Sequence, residues 1–401
     1  MYDELAILAL FVFLYSIVAG RVERSIVSGP IVFVIAGIIM GPMVLGWFEG
    51  DEVRKDLRLL ADLTLALVLF VDAAHADLGI LRKRFEIPLR MLLLGLPGVI
   101  ALGFSLALIM FDVLSVFEAA ILATMLAATD AALGKAVITD QSVPARIREG
   151  LNVESGLNDG LCVPILFVFI ALELKSGGEG GDHASPLLLV AQELGIGALV
   201  GVGLAAIGAA LYRFCWRKGW VTPIWMQVSV AGLALACFAF AQSLHGSGYI
   251  ASFTGGIAFG LLAGHSTHKL VLAAEGVAET LALLTWLLFG VAVIGQLAGF
   301  ITWQVFVYSI LSLTIIRVLP VFLSLTGSGE SVNSRFFLSW FGPRGLASIV
   351  FAVIVLDYEL PGAELMSLVV IFTVFFSLIA HGVTARPLSR WVSASEDTEA
   401  E

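Results

Sequence analysis

Apolar residues run through this chain in long unbroken stretches, divided by short segments rich in charge, glycine or proline. A helix needs about 20 apolar residues to cross the hydrocarbon core of a bilayer. The stretches are continuous and do not alternate, which argues against a transmembrane barrel. Backbone groups in lipid must then be satisfied within helices. Thirteen spans are predicted, at 3–20, 30–48, 57–76, 88–111, 115–137, 150–173, 186–212, 222–244, 249–264, 276–298, 302–325, 336–356 and 362–385. The first begins behind acids and not behind Lys or Arg, and no small-residue cleavage site follows it. It reads as a retained span and not a signal peptide. The expected fold is an all-α polytopic membrane protein of 13 transmembrane helices.

Charge orients the spans. Taking the connections alternately, one set together with the C-terminus holds fifteen Lys and Arg residues, and the other holds four. The remaining three, Lys135, Arg317 and Arg344, lie inside spans. Lys and Arg mark the cytoplasmic side. The N-terminus is therefore expected outside and the C-terminus in the cytoplasm, as in a multi-pass cell-membrane protein.

Composition narrows the classes further. The 401 residues are 59% hydrophobic and 13% charged, against roughly 25% charged in soluble domains. The net charge of −10 gathers in loops and in the tail from Glu396 to Glu401. No basic face exists to hold phosphates, so nucleic acid is excluded as a partner; the lipid bilayer is one. Cys162, Cys215 and Cys237 lack metal-ligand spacing and read as small buried residues. The histidines, His75 among them, read as structural. There is no Gly-x-Ser-x-Gly, no His-Glu-x-x-His and no protease-like Asp pair. The chain is expected to be neither an enzyme nor a holder of a resident cofactor.

The glycine-rich run Ser176 to His183 roughly halves the chain and reads as a flexible outer loop. Six spans precede it and seven follow. The fifth span is interrupted around Thr129-Asp130, and the twelfth around Gly342-Pro343-Arg344-Gly345. Interrupted segments at matching places in two halves point to a transporter site between inverted repeats.

A charge deep in a span costs on the order of 2.5–3.5 kcal/mol by insertion scales. Asp72, Asp130, Glu154, Asp159, Arg317 and Arg344 all accept that cost. In the sixth span Glu154 stacks under Asn158, and Ser155 under Asp159, as residues four apart do on a helix. One face thus offers carboxylate, hydroxyl, amide and carboxylate, hard oxygen donors suited to an alkali cation. Asp159 is the leading candidate. Glu154 can equally serve a salt bridge to a buried arginine. Asp130 reads mainly as a helix cap and charge balance while also standing among the candidate cation- and proton-binding residues, and Thr129 reads as an oxygen ligand. Asp72 is either an auxiliary ligand or an interfacial acid. Asp62 reads as outer-facing. Lys135 either snorkels to the inner surface or pairs with Asp130.

Thr129-Asp130, Glu154-Ser155 followed by Asn158-Asp159, Arg317 and Gly342-Pro343-Arg344-Gly345-Leu346 resemble the NhaP-type sodium/proton antiporters of the cation:proton antiporter superfamily. The resemblance covers essentially the whole chain. It implies a six-helix core at about 88–173 and 302–385, moving against a dimer-forming panel at about 3–76 and 186–298, within a membrane domain of residues 1–387. Residues 388–401 are expected as a short acidic cytoplasmic tail, in place of the soluble regulatory tails of some relatives. The resemblance implies that Asp159 alternately holds a cation or a proton, with Ser155 and Thr129 completing the cation shell. Asn158 would tie the sixth helix to the crossing, Glu154 would pair with Arg344, and Arg317 would offset the helix-end dipoles. Two departures stand out. Ala131 follows Asp130 where the family has proline, and Asp72 stands where it usually has Glu.

The implied activity is secondary active exchange of a monovalent cation, sodium or also lithium, for a proton, serving sodium transport and pH homeostasis in a homodimer. Asn158 adds no titratable charge, and relatives with Asp there are generally electrogenic. The expected exchange is therefore electroneutral, one for one. Two other readings of the same donors are a gated monovalent-cation channel and a proton/organic-anion symporter. The excess of acids over deep arginines argues against the symporter. Weak support for a dimer comes from Gly197-x-x-x-Gly201 and Gly256-x-x-x-Gly260, spacings that serve close packing within one subunit equally well.

Overall fold

The computed structural model describes residues 2–22, 29–42, 44–48, 50–75, 86–130, 133–138, 140–176, 186–263, 267–293 and 302–400. Ala131 and most of the glycine-rich run lie outside the described residues, as does the side chain of Lys135. Helices account for nearly all that is described. They are α1 (Tyr2–Val22), α2 (Gly29–Met40), α3 (Gly50–His75), α4 (Glu86–Met110), α5 (Val116–Met125), the short α6 (Lys135–Ile138), α7 (Ala145–Ser176) and α8 (Pro186–Arg217). There follow α9 (Pro223–Ser243), α10 (Gly248–Ala263), α11 (Thr267–Val293), α12 (Trp303–Leu313), α13 (Ile315–Ser324), α14 (Val332–Trp340), α15 (Leu346–Asp357) and α16 (Ala363–Ala400). Among the described residues seven helical segments are long and apolar enough to cross a membrane, and five shorter helices are also apolar.

Local chemistry sets several boundaries. Ser115 starts α5 with a capping box: its hydroxyl accepts from the Glu118 amide, and Glu118 accepts from the Ser115 amide, each at 3.0 Å. This satisfies two amides that a helix start leaves unpaired. Ser331 caps α14 by accepting from the Ser334 amide at 3.1 Å. In α4 the turn Met91–Gly95 widens to π geometry, and the Leu96 amide reaches back to the Met91 carbonyl. Pro97 follows directly and has no amide of its own to give, so the regular ladder is already broken there.

The helices pack in two groups. In one, α3 lies on α10 and α11, α2 on α11, and α8 on α9 and α10. Leu67 and Phe70 of α3, Ala205 of α8, Cys237 of α9 and Val271 of α11 share one buried apolar cluster. In the other, α4 lies on α5 and α13, α5 on α7, and α16 on α12 and α15. The groups meet where α3 and α10 pack on α7, and α3 on α15.

One sequence expectation changes here. Gly197 and Gly201 face the backbone carbonyls of Ser247 and Ala251, and Gly256 and Gly260 face those of Phe70 and Ala74. Both glycine spacings are occupied by helices of the same chain, so they lend no support to a dimer. The residues expected as a short acidic tail, from 388 onward, are helical to Ala400 within the 38-residue α16.

Candidate ion-binding site

The two interrupted spans cross, and each supplies the cap that the other lacks. The chain leaves α5 after Met125 and runs on without helix through Ala127 and Ala128, whose carbonyls have no following helical turn to pair with. Arg344, from the second break, donates through Nη1 to the carbonyls of Ala127 at 2.9 Å and Ala128 at 3.1 Å. The first amides of α15 are unpaired in the same way. Asp130, from the first break, accepts from the Leu346 amide at 2.9 Å, and its other oxygen accepts from Leu133 at 3.2 Å. A cation thus sits at a helix C-terminus and an anion at an N-terminus, the favourable arrangement for both dipoles. The Asp130 amide donates to the Pro343 carbonyl at 2.8 Å, joining the breaks by their backbones. The approach is close enough to require glycine: a Cβ on Gly345 would fall on the Asp130 carboxylate, and one on Gly342 on the Arg317 guanidinium.

Helix α7 runs past this crossing. Glu154, 1% exposed, forms a 2.9 Å ion pair with Arg317 of α13, also 1% exposed. The expected partners are therefore exchanged: Glu154 pairs with Arg317, and Arg344 takes the helix-end carbonyls. Asn158 donates to Glu154 at 3.0 Å and to the Ala127 carbonyl and Thr129 hydroxyl at 3.2 Å each. All three acceptors converge on one amide group, so Asn158 binds α7 to the end of α5 as the sequence suggested. Its own oxygen accepts from the Cys162 thiol at 3.2 Å, a contact that the reading of Cys162 as a bland core residue missed. The four-residue spacing was its visible sign.

Ser155 donates to the Thr129 carbonyl at 2.9 Å. The Thr129 hydroxyl lies 3.5 Å from Glu154 and accepts from Asn158, so it is already engaged. Asp159 is 6% exposed, and its Oδ1 is buried with no hydrogen-bond partner among the described residues. Its carboxylate lies beside the Thr129 backbone and within electrostatic reach of Asp130 and Asp72. Asp72 backs onto Gly156, where a Cβ would stand 3.4 Å from it, so α3 delivers a second carboxylate one turn before Asp159. A small crevice beside the crossing is lined by Asp130, Val137, Ile138, Leu151, Ser155 and Pro343. Phe253 of α10 covers Gly160.

Two further residues support the crossing from α16. Ser377 accepts from the Arg344 amide at 2.7 Å, and His381 Nε2 contacts the Trp340 carbonyl at 3.0 Å. No spacing in the sequence ties either to the breaks. Among the described residues no three His, Cys, Asp or Glu side chains group closely enough to hold a metal ion. The donors gathered here are the Asp159 carboxylate with that of Asp72 near it, one hydroxyl and backbone oxygen, a set for weak, reversible binding of a hard cation.

An all-helical membrane fold with two crossed, mutually capped helix breaks around a buried carboxylate defines a secondary-transporter architecture. The family described as "Sodium/hydrogen exchanger, transmembrane" matches residues 7–391, and the chain belongs to that family. It is similar to the K(+)/H(+) antiporter NhaP2 of Shewanella sp. (strain MR-4), 24% identical over 400 residues, covering 96% of this chain and 66% of that one. It is also 24% identical over 388 residues to the K(+)/H(+) antiporter NhaP of Alkalimonas amylolytica, covering 95% and 65%. The chain thus spans just under two thirds of the length of these relatives. Its fold is that of the sodium proton antiporter MjNhaP1 from Methanocaldococcus jannaschii at pH 8: TM-score 0.79, 20% identity, covering 98% of this chain and 99% of that one.

Proposed function

We propose that the chain exchanges a monovalent cation for a proton, with both competing for Asp159. The observation that carries this reading is the buried, unpartnered Oδ1 of Asp159 beside Ser155 and the Thr129 backbone. Burial favours the protonated form of a carboxylate, and a bound cation favours the ionised form. A group in that position can hand one ligand over for the other. Either ligand neutralises the site and lets it cross a low-dielectric barrier, whereas the empty carboxylate is held back by its desolvation cost.

The surrounding charges stay put in this scheme. Glu154 is balanced by Arg317, Asp130 and Arg344 cap helix ends, and Asn158 has no proton to lose. One proton then exchanges for one cation, and transport is electroneutral. Ser155 and Thr129 complete the cation shell, the latter through its carbonyl, and Asp72 is an auxiliary carboxylate. We assign sodium, with lithium as its close congener, as the cation. The K(+)/H(+) relatives favour potassium as the competing assignment.

The packing of the helices into two groups supports a moving core of about 88–173 and 302–385 against a panel of about 3–76 and 186–298. The seven long apolar segments, the five shorter ones and α3 together support thirteen spans, and the crossed breaks support inverted repeats. The bias of fifteen basic residues to four supports a cytoplasmic position for the crevice beside Asp130 and Ser155, with the N-terminus outside and the C-terminus inside. A homodimer through the panel completes the proposal; cross-linking in the membrane tests it. No resident cofactor and no enzymatic step enter the scheme. The activity is tested by dequenching of a pH dye in proteoliposomes on adding sodium, lithium and potassium in turn. Sodium is expected to act at the lowest concentration, and an imposed membrane voltage to leave the rate unchanged. No response to any of the three ions would contradict the proposal, and voltage dependence would contradict electroneutrality alone.

A further inference from the structure

At the end of the molecule away from the crevice, a polar network joins the two helix groups. Arg58 of α3 donates to both oxygens of Asp62, at 2.9 and 3.0 Å. Asp62 also accepts from the Tyr249 hydroxyl of α10 at 2.5 Å. These contacts fix the guanidinium within the panel. Its Nη1 pairs in addition with Asp357, the last residue of α15. The other end of α15 is Leu346, whose amide Asp130 caps. Twelve helical residues make a rod of about 18 Å, so the pair lies at one end of a stiff element and the crossing at the other.

We propose that the Arg58–Asp357 ion pair is a latch that holds the outer side closed and sets how often the core reaches its outward-facing position. The proposal rests on the core-and-panel reading above. The two bodies cannot separate at their outer ends while Asp357 remains bound to Arg58. Arg58 side-chain exposure is 29% and that of Asp357 is 55%. A pair so open to water is weak, which suits a contact that must break in every cycle. Asp62 and Tyr249 act by positioning: they keep Arg58 aimed at α15 whether or not Asp357 is present.

The test uses spin labels on the exposed outer ends of the two bodies, at Ser243→Cys and Glu359→Cys, in a Cys215→Ser background in liposomes. Asp357→Asn and Arg58→Gln are each expected to raise the long-distance fraction about two- to fivefold, the range set by an exposed ion pair. Tyr249→Phe, which leaves the pair between the bodies intact, is expected to change it by less. Unchanged distances in both Asp357→Asn and Arg58→Gln would overturn the latch, as would a shift of equal size in Tyr249→Phe. Cation-driven proton movement by the chain with Arg58 and Asp357 unchanged, in the same liposomes, reads the proposed function separately: exchange with no distance shift in the two variants removes the latch alone, and a shift without exchange removes the antiport reading alone.

Discussion

Glu154 and Arg317 lie 163 residues apart in sequence and form a 2.9 Å ion pair at the centre of the fold. Each closes off the charge of the other where water does not reach. Removing one partner of such a buried pair costs about 3–5 kcal/mol, because the remaining charge is uncompensated. Glu154→Gln and Arg317→Met are each expected to lower the melting temperature in detergent sharply. The double substitution should recover part of the loss, as measured by a double-mutant cycle. Strictly additive losses would show that the pair is not the unit.

Asp130 holds the first amide of α15 and the Leu133 amide in the turn before α6 with one side chain. Loss of a capping side chain costs about 1 kcal/mol per cap. Asp130→Ala is expected to lose about 2 kcal/mol of stability and to slow exchange without abolishing it. Complete loss of exchange in a protein of wild-type stability would make Asp130 a carrier and not a cap.

Gly160 is covered by the ring of Phe253 so closely that any side chain at 160 meets it. Gly160→Ala should push α7 from α10 and impair exchange. Gly160→Ala with Phe253→Leu should restore part of the rate, since the smaller side chain vacates the space. Failure of the second change to help would place the damage elsewhere in α7.

Competition at one carboxylate fixes the pH dependence. Below the pKa of the site, the cation concentration for half-maximal rate should rise about tenfold for each unit of acidification, while the maximal rate changes little. A pH-independent half-maximal concentration would mean that proton and cation do not share a group.

Much of this site was legible in the sequence. The face of Glu154, Ser155, Asn158 and Asp159 follows from four-residue spacing, and both breaks announced themselves by polar or Gly/Pro residues inside apolar runs. Asp130 as a cap also followed from its place at a break. The choice between Arg317 and Arg344 as partner of Glu154 did not. Both are far away in the chain, and only the depth at which α13 passes α7 decides which reaches. The glycine spacings were equally silent about what approaches them, because a bare helix face accepts a helix of its own chain or of a second copy alike. Arg58 and Asp357 lie near predicted span ends, where a charge is ordinary, and nothing local marks them as a pair.

In the proposed exchange Asp159 carries both cation and proton. Its most direct test is cation-driven dequenching of a pH dye in proteoliposomes for wild type and Asp159→Asn, with equal amounts of folded protein confirmed by size exclusion. A clear signal is expected for wild type and none for Asp159→Asn, whose amide neither ionises nor binds a proton in this range. Exchange by Asp159→Asn at the wild-type rate would contradict it.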